Sequence, residues 1–371
     1  MGRVYRHTFR SAPPIEGNAD AMTDSLRSPI PGGPPPAAGR ARPTLETVAA
    51  LAKVSRATAS RVVNGSTSVS PDNRDAVLHA VRRLGYVPNR AARGLVTQRM
   101  DAYALVLAES ADRIFSEDPF FSTLVHGAAQ ELAGAGKELV LHLESSRGSR
   151  DRVRDAAMSG HVDGVIVVSM HGAEGLPRTL AELGVPVVVN GRPLGRSSVP
   201  YVDVANVDAA RLAVRRLVDS GRHRIATIAG PQTVPGAIDR LTGYRAEMRD
   251  SRRRPVVAVA DFTYESATSA MLRLLADHPR LDAVFVASDL MAHAAMRVLR
   301  RSGRRVPADV AVIGFDDTEP ARYAEPPLTT VRLPIHDIGR TMARQVVRLA
   351  GGEPVERSVL LSTEFVARES A

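Results

Sequence analysis

The stretch "VSRATASRVVNG", residues 54–65, has two different faces at helical spacing. Val54, Ala59, Val62 and Val63 fall on one side, where they can pack against other elements. Arg56, Ala57, Ser60, Arg61 and Asn64 fall on the other, all small, polar or basic. The charge around this face is equally lopsided. Residues 41–100 hold ten Lys or Arg against three Asp or Glu, whereas residues 101–371 hold 34 of each. The formal net charge of +9 therefore sits mostly in one short segment. Such clustering is the electrostatic footprint of a module that binds a polyanion. Arginine standing in for lysine accounts for the type of base, since Lys occurs only at 53 and 137, but not for the clustering.

The elements that must hold this face read as three short helices over residues 44–87. The first starts at Thr44, a candidate N-cap, with Leu45, Val48, Ala49 and Ala52 on one face. Lys53 and Val54 make a turn, and Ser55 caps the second helix. The third opens with Ser70–Pro71 and repeats Val77, Ala80, Val81 and Leu84 at i, i+3, i+4 and i+7 before Gly85. A helix, a tight turn and a helix with a basic outer face is the helix-turn-helix pattern. Ahead of it, "SPIPGGPPPAAGRARP" is too rich in Pro and Gly to pack, so residues 1–40 are expected to be a disordered tail.

After Tyr103 the texture changes to short apolar runs, among them "YALVLA", "ELVLHL", "GVIVVS", "VPVVVN", "RIATIAG", "PVVAVA", "DAVFVAS" and "VAVIGFD". Helical patterns separate most of them, which predicts parallel sheets covered on both faces. Eight or more strands over this length suit two doubly wound subdomains better than one sheet. Ligands of such folds sit beyond the carboxyl ends of the strands. Those ends carry Glu109, Ser169, Asn190, Asp261, Asp289 and Asp316.

The segment "TLETVAALAKVSRATASRVVNGSTSVSPDNRDAVLHAVRRLGYVPNRAARGL" resembles the DNA-binding headpiece of the lactose-repressor (LacI) family. "DPFF", "GP…DRLTGY", "FVASDLMA", "VPADVAVIGFDD" and "PPLTTVRLPIHDIG" are similar to that family's core in the same order. The likeness covers about residues 44–369. It implies a helix-turn-helix headpiece at 41–88, a hinge helix and linker at 89–100, and an α/β core at 101–371. That core would comprise two subdomains of the periplasmic-binding-protein type joined by three crossing strands. The N-subdomain is expected at about 101–200 plus 331–361, and the C-subdomain at about 201–330 plus 362–371.

The resemblance also assigns roles. Arg56, Ala57 and Arg61 fall where the family's recognition helix meets base edges. Arg56 is suited to a guanine, to whose N7 and O6 it can donate two hydrogen bonds. Ala57 can only pack, as on a thymine methyl. Ser55, Thr58, Ser60 and Asn64 suit phosphates, which position the protein without specifying sequence. "PNRAARGL" resembles the hinge, with Leu95 as a minor-groove wedge and Asn89 and Arg90 near the backbone. Gly94 inside that hinge departs from a good helix former. Effector positions map onto Phe120, Phe121, Asn190, Arg240, Phe262 and Asp289. Ala294, beside His293, replaces a frequent glycine of the family near that pocket. Aromatic faces with Asn, Arg and Asp suit a small polar ligand, a sugar first and a nucleobase or nucleoside second. The implied partners are a palindromic double-stranded operator, that effector and a second copy of the chain, with neither cofactor nor metal.

Other classes fit less well. "AGAGKE" at 133–138 lacks the spacing of a phosphate loop and has Glu138 where Ser or Thr is needed. No nucleophile elbow and no helical His pair at metal spacing appear, and the absence of Cys excludes thiolate chemistry. The first residues lack the apolar core of a secretory signal, and no apolar run is long enough to span a membrane. A cytoplasmic regulator, probed against an exported solute-binding protein of the same core fold, is therefore the expectation.

Overall fold

The computed structural model describes residues 43–66, 68–87, 99–108, 118–143, 147–169 and 175–371. The tail at 1–40 and the hinge positions Asn89, Arg90, Gly94 and Leu95 lie outside the described residues. The chain divides into one unit up to Pro88 and another from Asn89 to Ala371.

In the first unit, α1 (Leu45–Ala52), α2 (Arg56–Val63) and α3 (Pro71–Leu84) close around Val48, Ala59, Val77 and Ala80, all nearly inaccessible to solvent. Local chemistry sets each boundary. Thr44 and Thr47 cap each other's backbone at the start of α1, the reciprocal arrangement of a capping box. Lys53 ends α1 in the left-handed region, at φ 55°. Ser55 then accepts from Thr58 N at 3.1 Å and opens α2. Ser70 occupies the cap position of α3 but makes no side-chain cap bond, leaving Pro71 as the start signal.

The second unit alternates strands and helices. Its first part runs β1 (Ala102–Ala108), α4 (Pro119–Gly134), β2 (Glu138–Leu143), α5 (Arg147–Met158), β3 (Gly164–Ser169), α6 (Gly175–Glu182), β4 (Val187–Asn190) and β5 (Tyr201–Val204). Next come α7 (Asn206–Asp219), β6 (Ile225–Ala229), α8 (Pro235–Asp250), β7 (Val256–Val259), α9 (Tyr264–Asp277), β8 (Ala283–Val286), α10 (Asp289–Arg301), β9 (Ala311–Ile313) and α11 (Glu319–Tyr323). β10 (Thr330–Arg332), α12 (Ile335–Ala350), β11 (Ser358–Leu361) and β12 (Glu364–Val366) complete it.

These elements form two lobes. The larger has a parallel sheet ordered β11-β5-β4-β3-β1-β2, and the smaller a parallel sheet ordered β7-β6-β8-β9. Val165, Ile166, Val167 and Val168 of β3 are all buried, as a strand covered by helices on both faces requires. The chain crosses between lobes after β5, around β10 and again around β12. The last two pair antiparallel at the crossing. β5 pairs with β4 and β11, so the larger lobe runs through Val204 and the smaller begins with α7. The C-terminus closes on the smaller lobe, where the Ser370 hydroxyl donates to Val312 O at 2.7 Å. Among the described residues no helix is long and apolar enough to cross a membrane.

Candidate functional site

Folding of the first unit leaves the second face of α2 open. Ser55, Arg56, Ala57, Arg61 and Asn64 are exposed, while Thr58 and Ser60 are half-buried. Part of this polar set is already engaged. The Ser55 hydroxyl serves the helix cap and also shares a 2.9 Å hydrogen bond with the Thr58 hydroxyl. Asn64 Nδ2 donates to Ser60 Oγ at 3.3 Å. Arg56 Nε meets Glu46 Oε1 of α1 at 2.6 Å. Glu46's own backbone N–H, the Thr44 hydroxyl and then Arg56 hold its carboxyl below the usual range. Sequence reasoning passed over Glu46, whose only signal is an acid on the helix facing a basic one. Glu46 thereby engages the Nε of a guanidinium that otherwise remains exposed on α2.

The second candidate lies between the lobes, beyond the carboxyl ends of both sheets. Phe120, Asn190, Arg240 and Phe262 line it, with Asp118, Asp203, Asn206, Ser288 and Asp316. Asp118, Asn206, Phe262, Ser288 and Asp316 come from strand-to-helix connections or helix starts, Asn190 and Asp203 from the ends of β4 and β5, and Arg240 from the second turn of α8. Phe262 has φ 69° and its ring rests on Gly230, where a Cβ would come within 2.4 Å of the ring. Arg240 projects from α8 and is buried. Its Nε donates to Asn206 Oδ1 at 3.0 Å, and Nη1 donates to Ala287 O at 2.6 Å and reaches Asp316 Oδ1 at 3.4 Å. The guanidinium also lies over the Phe315 ring, 3.9 Å from its centroid. Asn206 in turn donates to Asp203 Oδ1 at 2.9 Å. Across the cleft, Arg192 of the larger lobe clasps Asp239 of α8 through two bonds of 2.7 and 2.6 Å.

Acceptors dominate this lining. Three carboxylates share one guanidinium among the described residues. Burial pushes Asp316 well above the ordinary carboxylate range, against the pull of Arg240. Burial also raises Asp203, opposed by the N–H groups of Val204 and Arg192. Such a lining receives hydroxyl donors well, and the phenyl rings offer flat apolar faces. The free space is about 70 Å³ as the lobes stand. That is far below the ~300–1,000 Å³ of ordinary ligand sites. A ligand larger than a few waters needs the lining to move, and the Arg192–Asp239 clasp joins the two lobes across the cleft.

Two expected effector residues are elsewhere. Phe121 is fully buried in the larger lobe's core. Successive helical residues point about 100° apart, so Phe120 takes the cleft and its neighbour the core. Asp289 is also fully buried and does not line the cleft, and it opens α10 without capping it. The cap is Ser288, which accepts from Met291 N at 3.3 Å. Asp289 Oδ1 accepts from the Thr330 hydroxyl at 2.6 Å, and Oδ2 from Thr318 N at 2.8 Å. It ties α10 to the crossing strand β10 behind the site. Asp316 and Asp317, adjacent in sequence, diverge: Asp317 pairs with Arg332 at 2.7 Å and with Arg368.

Burial pushes the Asp289 carboxyl up to about 7, opposed by those hydrogen bonds. A folded value above the unfolded ~3.9 means that the proton is held more tightly in the folded state. The associated stability is complete below the unfolded value and is lost as pH rises through about 7. In Asp289→Asn the amide oxygen can take the Thr318 N–H and the NH₂ can donate to the Thr330 hydroxyl. The fall in Tm between pH 5.5 and 8 should therefore shrink in this variant. An unchanged fall would show that Asp289 does not carry it.

A family model described as bacterial regulatory proteins, lacI family, matches residues 44–89, and one described as a periplasmic binding protein-like domain matches residues 214–371. The HTH-type transcriptional regulator CelR of Thermobifida fusca is 48% identical, covering 89% of this chain and 99% of its own. A ribose operon repressor of Halalkalibacterium halodurans is 31% identical over 88% and 96%. Among solved structures, a CelR–cellobiose complex is 46% identical with a TM-score of 0.71, covering 89% of this chain and all of that one. A lac repressor dimer bound to operator and an anti-inducer is 28% identical with a TM-score of 0.79, over 89% and 99%.

Proposed function

Since the chain belongs to the LacI family of transcriptional regulators, we propose that it acts as a homodimeric repressor on a palindromic operator and answers to a β-linked glucose oligosaccharide in the cleft between its lobes. The headpiece supplies DNA reading through Arg56, Ala57 and Arg61. Ser60, Thr58 and Asn64 contact phosphates, and Ser55 serves mainly as the cap. Asn89, Arg90 and Leu95 would complete the contact at the centre of the site. In the core, Phe120, Asn190, Arg240 and Phe262 hold the ligand, joined by Asp118, Asp203, Asn206 and Asp316.

One observation carries the choice of ligand. The carboxylate-rich, phenyl-walled cleft belongs to a chain 46% identical to a regulator solved with cellobiose. Sugar hydroxyls donate to carboxylates, while C–H faces of the ring lie on Phe120 and Phe262. The clasp and the small free volume supply the coupling. A bound sugar holds the lobes at a different separation from that of the empty cleft, and the arrangement of lobes sets the geometry offered to DNA.

The chain has no Trp, so calorimetry is the suitable probe. Titration with cellobiose should give saturable binding, and Asn190→Ala should weaken it. Binding of a nucleoside with no response to cellobiose, cellotriose or ribose would overturn the sugar assignment.

A further inference from the structure

Three of the four connections that enter the strands of the smaller lobe carry an excess of arginine, and in the fourth, before β8, Arg280 is balanced by Asp282. "RHR" at 222–224 precedes β6, "RDSRRR" at 249–254 precedes β7, Arg280 precedes β8, and "RRSGRR" at 300–305 precedes β9. Because these strands are parallel, every such connection lies at the same end of the sheet, opposite the cleft. Between residues 219 and 224, 249 and 254, 277 and 282, and 300 and 309 there are eleven Arg against five Asp, an excess of six. The other end of this lobe has the reverse sign. Its connections at 230–234, 260–263, 287–288 and 314–318 hold three Asp and no base. The core is neutral as a whole, yet this lobe is strongly polar.

Helix dipoles do not account for the segregation. Bases favour helix C-termini, but α7, α8 and α9 each end on Asp, at 219, 250 and 277. Most of the arginines stand beyond the helix ends. Nor are they there for ion pairing. Of the eleven, only Arg305 pairs with a carboxylate among the described residues, that of Asp309, at 2.8 Å. Arg222 and Arg304 donate to backbone carbonyls of Pro307 and Pro279. The local acids are partly spent elsewhere: Asp250 pairs with Arg211 of α7, and Asp282 accepts from the backbone of His223 and Arg224. Asp219 and Asp277 remain exposed within the patch.

We propose that this end of the smaller lobe is a second DNA-binding surface, which holds the phosphate backbone of a duplex without reading its sequence. Four strands at ~4.8 Å spacing set the connections across ~14 Å. A duplex carries one charge per ~1.7 Å of axis, so a row of this width meets several phosphates at once. The surface lacks what base reading would need. These connections are short, contain no Phe, Tyr or Trp, and present no helix for a groove. Their guanidinium groups can bond phosphates in a fork. A protein already seated on its operator would thereby hold a second, arbitrary stretch of DNA.

The test uses the full chain, limiting over a short immobilised operator so that its headpieces are occupied. A labelled random-sequence duplex is then offered at ~50 mM salt, where phosphate contacts are strong. The parent protein should retain the second duplex, with retention falling steeply as salt rises. A variant with Arg252, Arg254, Arg300 and Arg301 changed to Ser should retain it at least tenfold less and keep its operator affinity. A control with Arg178, Arg196, Arg273 and Arg322 changed to Ser removes equal charge elsewhere and should retain the duplex. No retention by the parent, or equal retention by the patch variant, overturns the proposal. So does capture of anionic phosphatidylserine vesicles under conditions where the random duplex is not held.

Discussion

Replacing Arg56 by alanine is expected to cost ~1–3 kcal/mol per half-site on the operator and to relax base preference at one position in each half. The side chain is exposed on α2, and Glu46 meets its Nε. Truncation therefore leaves the headpiece core of Val48, Ala59 and Val77 intact. Affinity for random duplexes should change much less than affinity for the operator. An equal loss on both would make Arg56 a phosphate contact. Glu46→Gln gives the complementary result. It removes a negative charge near DNA and frees the fork, so binding to random DNA should tighten while the ratio of specific to random binding falls. A ratio that stays constant would show that the pairing does not orient Arg56.

Loss of Arg240 is expected to be the most damaging change in the core. Arg240→Ala leaves Asp316, the Asn206 amide oxygen and the Ala287 carbonyl without their donor. Breaking a buried ion pair by removing one partner typically costs ~3–5 kcal/mol. Both stability and ligand binding should fall, and Tm alone cannot assign the site. Asn190→Ala separates the two effects. Asn190 is half-buried on the cleft wall, and its amide reaches only Val202 O, at 3.5 Å. Its loss should leave Tm within the range of ordinary surface changes and weaken ligand binding by about tenfold, or ~1.4 kcal/mol. Unchanged ligand affinity in that variant would remove Asn190 from the site.

Much of the architecture is legible in the sequence, for identifiable reasons. The second face of α2 was legible because the helix is short, capped by Ser55 and forced by Ala59 and Val62 to turn its other side outward. The strands with continuous Val, Ile and Leu were legible because burial on both faces removes polar alternation. β5 and β10 were not. Asp203 interrupts "YVDV" and is tolerated only because Val204 N, Arg192 N and Asn206 supply donors from elsewhere. "TVR" is too short to show a period, and its partner β12 is more than thirty residues away.

The cleft divided along the same line. A residue at the end of a strand is marked by the sequence, but the direction of its side chain is set by donors that arrive from distant segments. Asp289 turned inward because Thr318 and Thr330 meet it there, and Asp316 turned to the cleft because Arg240 does. Phe120 and Phe121 were equivalent as neighbours in sequence, and only the packing of α4 decided between them.

The central claim is that occupation of the cleft sets the affinity for DNA. Its most direct test is the equilibrium affinity for the operator, measured with the cleft empty and then saturated with cellobiose, at fixed salt and protein concentration. A coupling of ~1–3 kcal/mol, about 5- to 150-fold, is expected, and Asn190→Ala should shift the sugar concentration needed without altering affinity in its absence. The same operator affinity with the cleft shown by calorimetry to be full would contradict the account.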